Sequence, residues 1–211
     1  SEFAVDCAAG FQAVGVVPAS GWWPASDRPE CLDISEMDHA AWHDDLEGRL
    51  RRQASRPEER ARMAQVRAKT SEEVAAGLMH GPFTRGEMER AYDGAWRAME
   101  RFGVVQNDKI RPCDNAKASL QNAATSLAER MEMETADFPA RVASAFRRAA
   151  GGPVEMRAGT DDIGSFYRVV PAATPQWTVV AVMGATAIEY YTLPSFNFGL
   201  AAAPNQCCRV S

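Results

Sequence analysis

The sequence predicts an α+β fold, with a helical region first and a mixed region of strands and helices after it. Three observations carry that expectation. Helix-start signatures recur in the first half: Ser55-Arg56-Pro57-Glu58 and Thr84-Arg85-Gly86-Glu87 each set a hydroxyl three residues before a carboxylate. Runs rich in β-branched and aromatic residues stand in the second half, at 177–182 and 187–192. Charge divides the same way. Residues 1–108 hold 13 Lys+Arg against 19 Asp+Glu, and residues 109–211 hold 10 against 9, so the net charge of -5 lies in the first half. The second half is the better candidate to meet a polyanion, although a near-neutral segment is not a basic patch.

Taken in order, residues 1–34 mix Gly, Pro and aromatic residues without periodicity and read as loop. Residues 36–52 read as a helix with Ser35 as N-cap and Met37, Trp42, Leu46 and Leu50 along one stripe. Pro57 suits the first turn of a second helix running to about Lys69, and Thr70-x-x-Glu73 starts another through about Met79. After Thr84, the residues Met88, Tyr92, Ala95, Met99 and Phe102 fall at helical spacing, with Gly103 as the stop. Residues 104–111 read as extended around an Asn107-Asp108 turn.

Residues 116–132 read as helical. Asp137-Phe138-Pro139 opens a further helix with Val142, Phe146 and Ala149 inward and Gly151-Gly152-Pro153 as its end. Val154, Met156, Ala158 and Thr160 alternate as in a half-buried strand, which runs into Asp161-Asp162. A short turn or helix follows at 163–168, then a hairpin about Gly184, then a helix from near Leu200.

Several classes of protein are disfavoured. Five cysteines at 7, 31, 113, 207 and 208 form no CxxC pair, so a reduced, intracellular chain is expected. No stretch approaches the roughly 18 apolar residues of a membrane span. His39 and His43 stand four apart and could reach one metal, but no third ligand accompanies them, and a helix face with two histidines is the plainer reading. There is no Ser-His-Asp order and no phosphate-cradling Gly loop. The chain opens at Ser1 and stops two residues beyond Arg209, inside an expected helix, so we expect a fragment.

Asp162 is the central candidate. A carboxylate at a strand end is held rigidly yet open to solvent, as a hard cation such as Mg²⁺ requires; alternatively, it caps the next turn. Asp162-Ile163-Gly164 with Phe166-Tyr167, and Pro171 nine residues after the Asp, resembles the first catalytic motif of reverse transcriptases. Phe198-Gly199-Leu200, then Ala203-Pro204 and Arg209, resembles their next palm motif. Upstream, Lys109-Ile110-Arg111-Pro112 and Asn122 resemble the basic fingers motif. The three stand in the family's order and cover residues 104–211; residues 1–103 match no motif and form a mostly helical region of unassigned role.

The resemblance implies fingers and the first half of a polymerase palm, from the RNA-directed DNA polymerase of a retroelement. It implies an RNA template, a DNA primer and dNTP as partners, no membrane, and Mg²⁺ as cofactor with Mn²⁺ as a substitute. The Asp162 carboxylate and the Ile163 carbonyl would be metal ligands. Tyr167 would be a steric gate that closes the space of a ribose 2′-hydroxyl, or else a half-buried aromatic beside Phe166. Lys109 and Arg111 alternate on one side of an extended segment and would hold the triphosphate, or else form a solvated face. Phe198 and Gly199 would line the nucleotide site.

Departures from the family pattern are visible. No aromatic follows Asp114, Ser195-Phe196-Asn197 lengthens the loop before Phe198, and Cys207 stands where a large aromatic is usual. The Tyr-x-Asp-Asp turn that completes such a palm is not in this sequence, so the chain as given is expected to be inactive. A non-catalytic remnant or nucleic-acid-binding module is the second reading, and a helical interaction protein with accidental motifs the third.

Overall fold

The structure is a computed structural model that describes residues 2–27, 30–132, 135, 137–157, 159 and 164–209, with side chains from Val5 onward. In chain order its elements are α1 (Glu2–Ala9), β1 (Gly15–Val17), α2 (His39–Ala54), α3 (Pro57–Ala75), β2 (His80–Phe83), α4 (Arg85–Tyr92), β3 (Met99–Gln106), β4 (Lys109–Asp114), β5 (Thr125–Leu127), α5 (Phe138–Ala150), α6 (Phe166–Val169), β6 (Val180–Met183), β7 (Ile188–Thr192) and α7 (Ala202–Cys208). The fold is mixed α and β, compatible with the α+β expectation, but β1, β2 and β3 come from the half expected to be mostly helical. No helix among the described residues is long and apolar enough to cross a membrane.

Five strands form the main sheet in the order β2-β7-β6-β3-β4. Two local hairpins build most of it. β3 and β4 pair antiparallel from Gln106↔Lys109 down to Arg101↔Asp114. Their turn residues Asn107 and Asp108 both have positive φ, 50° and 57°, the geometry that matches the twist of a two-residue hairpin. β6 and β7 pair antiparallel from Met183↔Ile188 to Val180↔Tyr191, and the Gly184 amide closes their turn on the Ala187 carbonyl at 2.8 Å. The hairpins are joined by a short parallel contact, Met99↔Val180 and Glu100↔Ala181, and β2 completes the sheet against β7. A separate parallel pair, β1 and β5, lies outside it.

Side chains alternate between the sheet's faces, and each face feeds its own core. Val180, Val182 and Tyr191 join Phe11, Val66, Met99 and Phe196 in one cluster. Ala181, Ile188 and Tyr190 join Leu46 and Leu50 of α2, Met88 of α4 and Trp96 in the other. Burying one such Leu or Ile is worth about 1.5–3 kcal/mol, so these two clusters carry the hydrophobic stabilisation.

Of the two helix-start signatures, the one at Ser55 forms no capping box: α3 opens at Pro57 with Arg56 as its N-cap, and the Ser55 hydroxyl donates to the Arg52 carbonyl at 2.7 Å. Thr84 and Glu87 form a reciprocal capping box at the start of α4. α2 is capped by Asp38, whose carboxylate accepts the Ala41 amide, rather than by Ser35, which lies in a short 3-10 turn. Thr70 does not begin a new helix. Its buried hydroxyl donates back to the Val66 carbonyl at 2.9 Å, and α3 runs on unbroken to Ala75.

Six further expectations are corrected. Residues 1–34 are not merely loop: α1 leads into Phe11, Ala13, Val14 and Val17, all buried in the first core. The helix expected through Phe102 stops at Tyr92, where Asp93 takes a left-handed φ of 49°, and Met99 and Phe102 lie in β3 instead. Residues 116–132 form turns and β5 rather than a helix; Leu120 has φ of 69°, incompatible with a helix interior, and the buried Gln121 amide donates to the Arg97 carbonyl at 3.0 Å. α5 forms and ends on left-handed Gly151, but none of its residues is buried and Phe146 is 60% exposed. Residues 153–157 form no strand, with Val154 and Met156 exposed. The physical reason is that no sheet edge is left beside the later hairpin: β3 pairs with β6 and β2 pairs with β7. The boundary expected after residue 103 falls inside β3.

Candidate functional site

Three segments meet at the end of β4. The first is Asp114, the last residue of that strand. The second is α6, which carries Tyr167 and Arg168. The third is the 193–200 loop that follows β7. Loop and helix are tied by backbone bonds: the Phe196 amide donates to the Tyr167 carbonyl at 3.1 Å, and the Ala172 amide to the Pro194 carbonyl at 2.9 Å. The Arg168 guanidinium adds a bond to the Phe196 carbonyl at 3.2 Å.

This packing puts the Tyr167 ring edge-on to the Phe198 ring, centroids 4.9 Å apart. Phe198 remains 45% exposed, so the pair presents an accessible aromatic corner. Gly199 follows with φ of 109°, and a Cβ there would stand 2.5 Å from the Asp114 carbonyl oxygen. Only glycine permits that backbone approach. Asn122 clamps the turn from the other side: its amide nitrogen donates to the Gly199 carbonyl and its amide oxygen accepts the Ala201 amide, both at 2.8 Å. Burial pushes the Tyr167 phenol above its ordinary pKa, with a smaller push from Cys207 and Cys208. Cys207 is itself buried, and its thiol is pushed up to about 12.

Behind the aromatic corner lies a buried ionic cluster. Arg101 of β3 donates to both carboxylate oxygens of Glu73 on α3, at 2.8 and 2.9 Å. Arg168 lies 3.4 Å from Glu73 and 3.6 Å from Asp114, and Arg101 lies 3.7 Å from Asp114. Asn197 donates its side-chain amide to Asp114 at 3.1 Å. Two guanidinium groups and two carboxylates balance one another, with Arg101, Arg168 and Asp114 buried and the Glu73 side chain 24% exposed. Desolvation makes such a cluster stable only when every partner is present. Arg168 also reaches over the Phe198 ring, 5.7 Å from its centroid.

Of the residues expected at the site, Tyr167, Phe198 and Gly199 are brought together, and Asn122 joins them. Lys109 and Arg111 are not in contact with that corner. Both are exposed on β4, toward the tip of the hairpin. Arg111 lies opposite Val104, and Phe102 lies opposite Cys113 on the same face. With Phe102 and Val104 about two-fifths exposed, that face is cationic and apolar together. Asp162 and Ile163 lie outside the described residues. Among the described residues no group of three His, Cys, Asp or Glu side chains stands close enough to hold a metal ion.

His39 and His43 belong to the core instead. His39 packs on Trp177 at 5.4 Å between ring centroids and His43 stacks on Trp96 at 3.8 Å. The residues missed from sequence are Glu73, Arg101, Asp114, Arg168 and Asn197. A signal was present for two of them. Asp114 closes the Arg-Pro-x-Asp run, and Arg168 is a cation set between Tyr167 and two valines. Compared with models of known families and with curated proteins, the chain matches none.

Proposed function

We propose that this chain is part of an RNA-directed DNA polymerase and that the corner formed by Tyr167, Phe198 and Gly199 receives a deoxynucleoside triphosphate. The observation that carries the reading is the Tyr167–Phe198 contact at 4.9 Å. It sets side by side two residues 31 positions apart that the sequence singles out independently, one as a sugar gate and one as a nucleotide-lining group. The partly exposed aromatic faces offer stacking and van der Waals surface to a sugar and base. Lys109 and Arg111, exposed on the neighbouring hairpin, would reach the triphosphate. Mg²⁺ or Mn²⁺ would be held by the Asp162 carboxylate and the Ile163 carbonyl, and it would supply charge neutralisation at the phosphates. The template would be RNA, the primer DNA, and the source a retroelement.

Sugar choice tests this reading without requiring turnover. A DNA primer with a dideoxy terminus is annealed to an RNA template, and dATP and ATP affinities are measured in Mg²⁺ for wild type and Tyr167→Ala. Wild type should favour dATP, and Tyr167→Ala should bring the two affinities together mainly by strengthening ATP binding. A displacement of about an ångström can cost on the order of a hundredfold in rate, so a ring occupying the 2′-hydroxyl volume has leverage enough. Equal affinities in wild type, or a preference unmoved by the substitution, would sink the assignment.

A further inference from the structure

We infer that Asp114 is a positioning residue that fixes the distance between the strand carrying Arg111 and the Tyr167–Phe198 corner, and so governs sugar choice without touching the sugar; this rests on the nucleotide-site reading above. Asp114 makes three ties that no other described residue combines. Its carboxylate accepts from Asn197, adjacent to Phe198, at 3.1 Å. The same carboxylate faces the Arg168 guanidinium, adjacent to Tyr167, at 3.6 Å. Its main-chain oxygen lies where a Cβ on Gly199 would come within 2.5 Å. Arg111 stands three residues earlier in the same strand.

A displacement at Asp114 therefore moves the candidate phosphate cation relative to the candidate sugar gate. The cluster resists such displacement because its charges balance and Arg101, Arg168 and Asp114 are buried. Arg101, its side chain fully buried, joins Asp114 at 3.7 Å to Glu73 on α3. Removing one carboxylate leaves two guanidinium groups sharing Glu73 alone, and the loop and α6 must shift to relieve it. Coupling between sites is carried by contiguous packed and ion-paired groups of this kind.

The test uses the primer–template complex described above with wild type, Asp114→Asn and Asn197→Ala. The ratio of ATP to dATP dissociation constants should fall about tenfold in Asp114→Asn, and by less in Asn197→Ala, which keeps all four charges. Hydrogen exchange supplies a readout independent of nucleotide. Amides of 166–169 and 196–201 should exchange faster in both variants, while α2 amides keep wild-type rates. Should Asp114→Asn fail to fold, Asn197→Ala decides. A wild type that binds dATP selectively, with both ratios unchanged in the variants, overturns the positioning role alone. A wild type without selective dATP binding overturns the nucleotide-site reading and this inference with it. Faster exchange spread evenly over α2 would mean that Asp114 serves only global stability.

Discussion

His43 stacks on Trp96, and its Nε2 accepts the Ala98 amide at 3.2 Å. That bond requires an unprotonated Nε2, and burial, with the Arg85, His39 and Arg97 charges behind it, lowers the imidazole pKa to about 3. The sign of the pH effect follows. Above the unfolded value near 6.5 the residue is neutral in both states and its contribution is intact. As pH falls from there toward 3 the unfolded chain takes up the proton and the folded chain does not, so stability drops, approaching about 1.4 kcal/mol per pH unit. His39, lowered in the same direction chiefly by burial, adds to it. Urea midpoints measured between pH 7 and 4.5 should fall steeply for wild type and less steeply for His43→Gln; parallel curves would mean that His43 titrates normally. Both imidazoles of this helix face lie against tryptophan rings, His39 on Trp177 and His43 on Trp96.

Elements were legible where the signal was local. The β3–β4 and β6–β7 hairpins were readable from Asn107-Asp108 and from Gly184, because turn and strands lie within a few residues of one another. Met99 was not, since its strand state depends on Val180, which is remote in sequence. The alternation misled at Val154 and Met156, because period alone supplies no partner strand. The proximity of Tyr167, Phe198 and Gly199 was legible from the resemblance, whereas the Glu73–Arg101–Asp114–Arg168 cluster was not, because ion pairing across four segments leaves no periodic trace. The hairpin turn offers a direct check. Asp108 is held at φ of 57°, where glycine is less strained. Asp108→Gly should therefore stabilise the protein by about 0.5 kcal/mol or more, read as a higher denaturation midpoint. A lower midpoint would show that the Asp108 side chain contributes more than its backbone costs.

Taken whole, the molecule does not divide after residue 103, where the resemblance suggests a boundary. Phe11 donates its amide to the Pro171 carbonyl at 2.8 Å and accepts from Ala173 at 3.0 Å, so the N-terminal segment is stitched to the stretch just after α6. β6 and β7 lie between strands supplied from residues 80–106. A chain beginning at residue 104 would leave both later strands without their outer neighbours. It should therefore show no cooperative thermal transition by circular dichroism, whereas the 211-residue chain should melt in one step; a sharp transition in the shorter piece would refute this. The strand order also has a consequence during synthesis. β2 emerges from the ribosome early and has β7 as its sheet neighbour. β7 is translated about a hundred residues later, which at roughly 5–20 residues per second is on the order of 5–20 s. Throughout that interval the β2 edge is unpaired, and the inner edge of β3 is unpaired until β6 is made, so both are available to wrong partners. Production of the folded protein should thus depend on translation speed and on chaperones that shield nascent strands, more than its stability once complete would indicate.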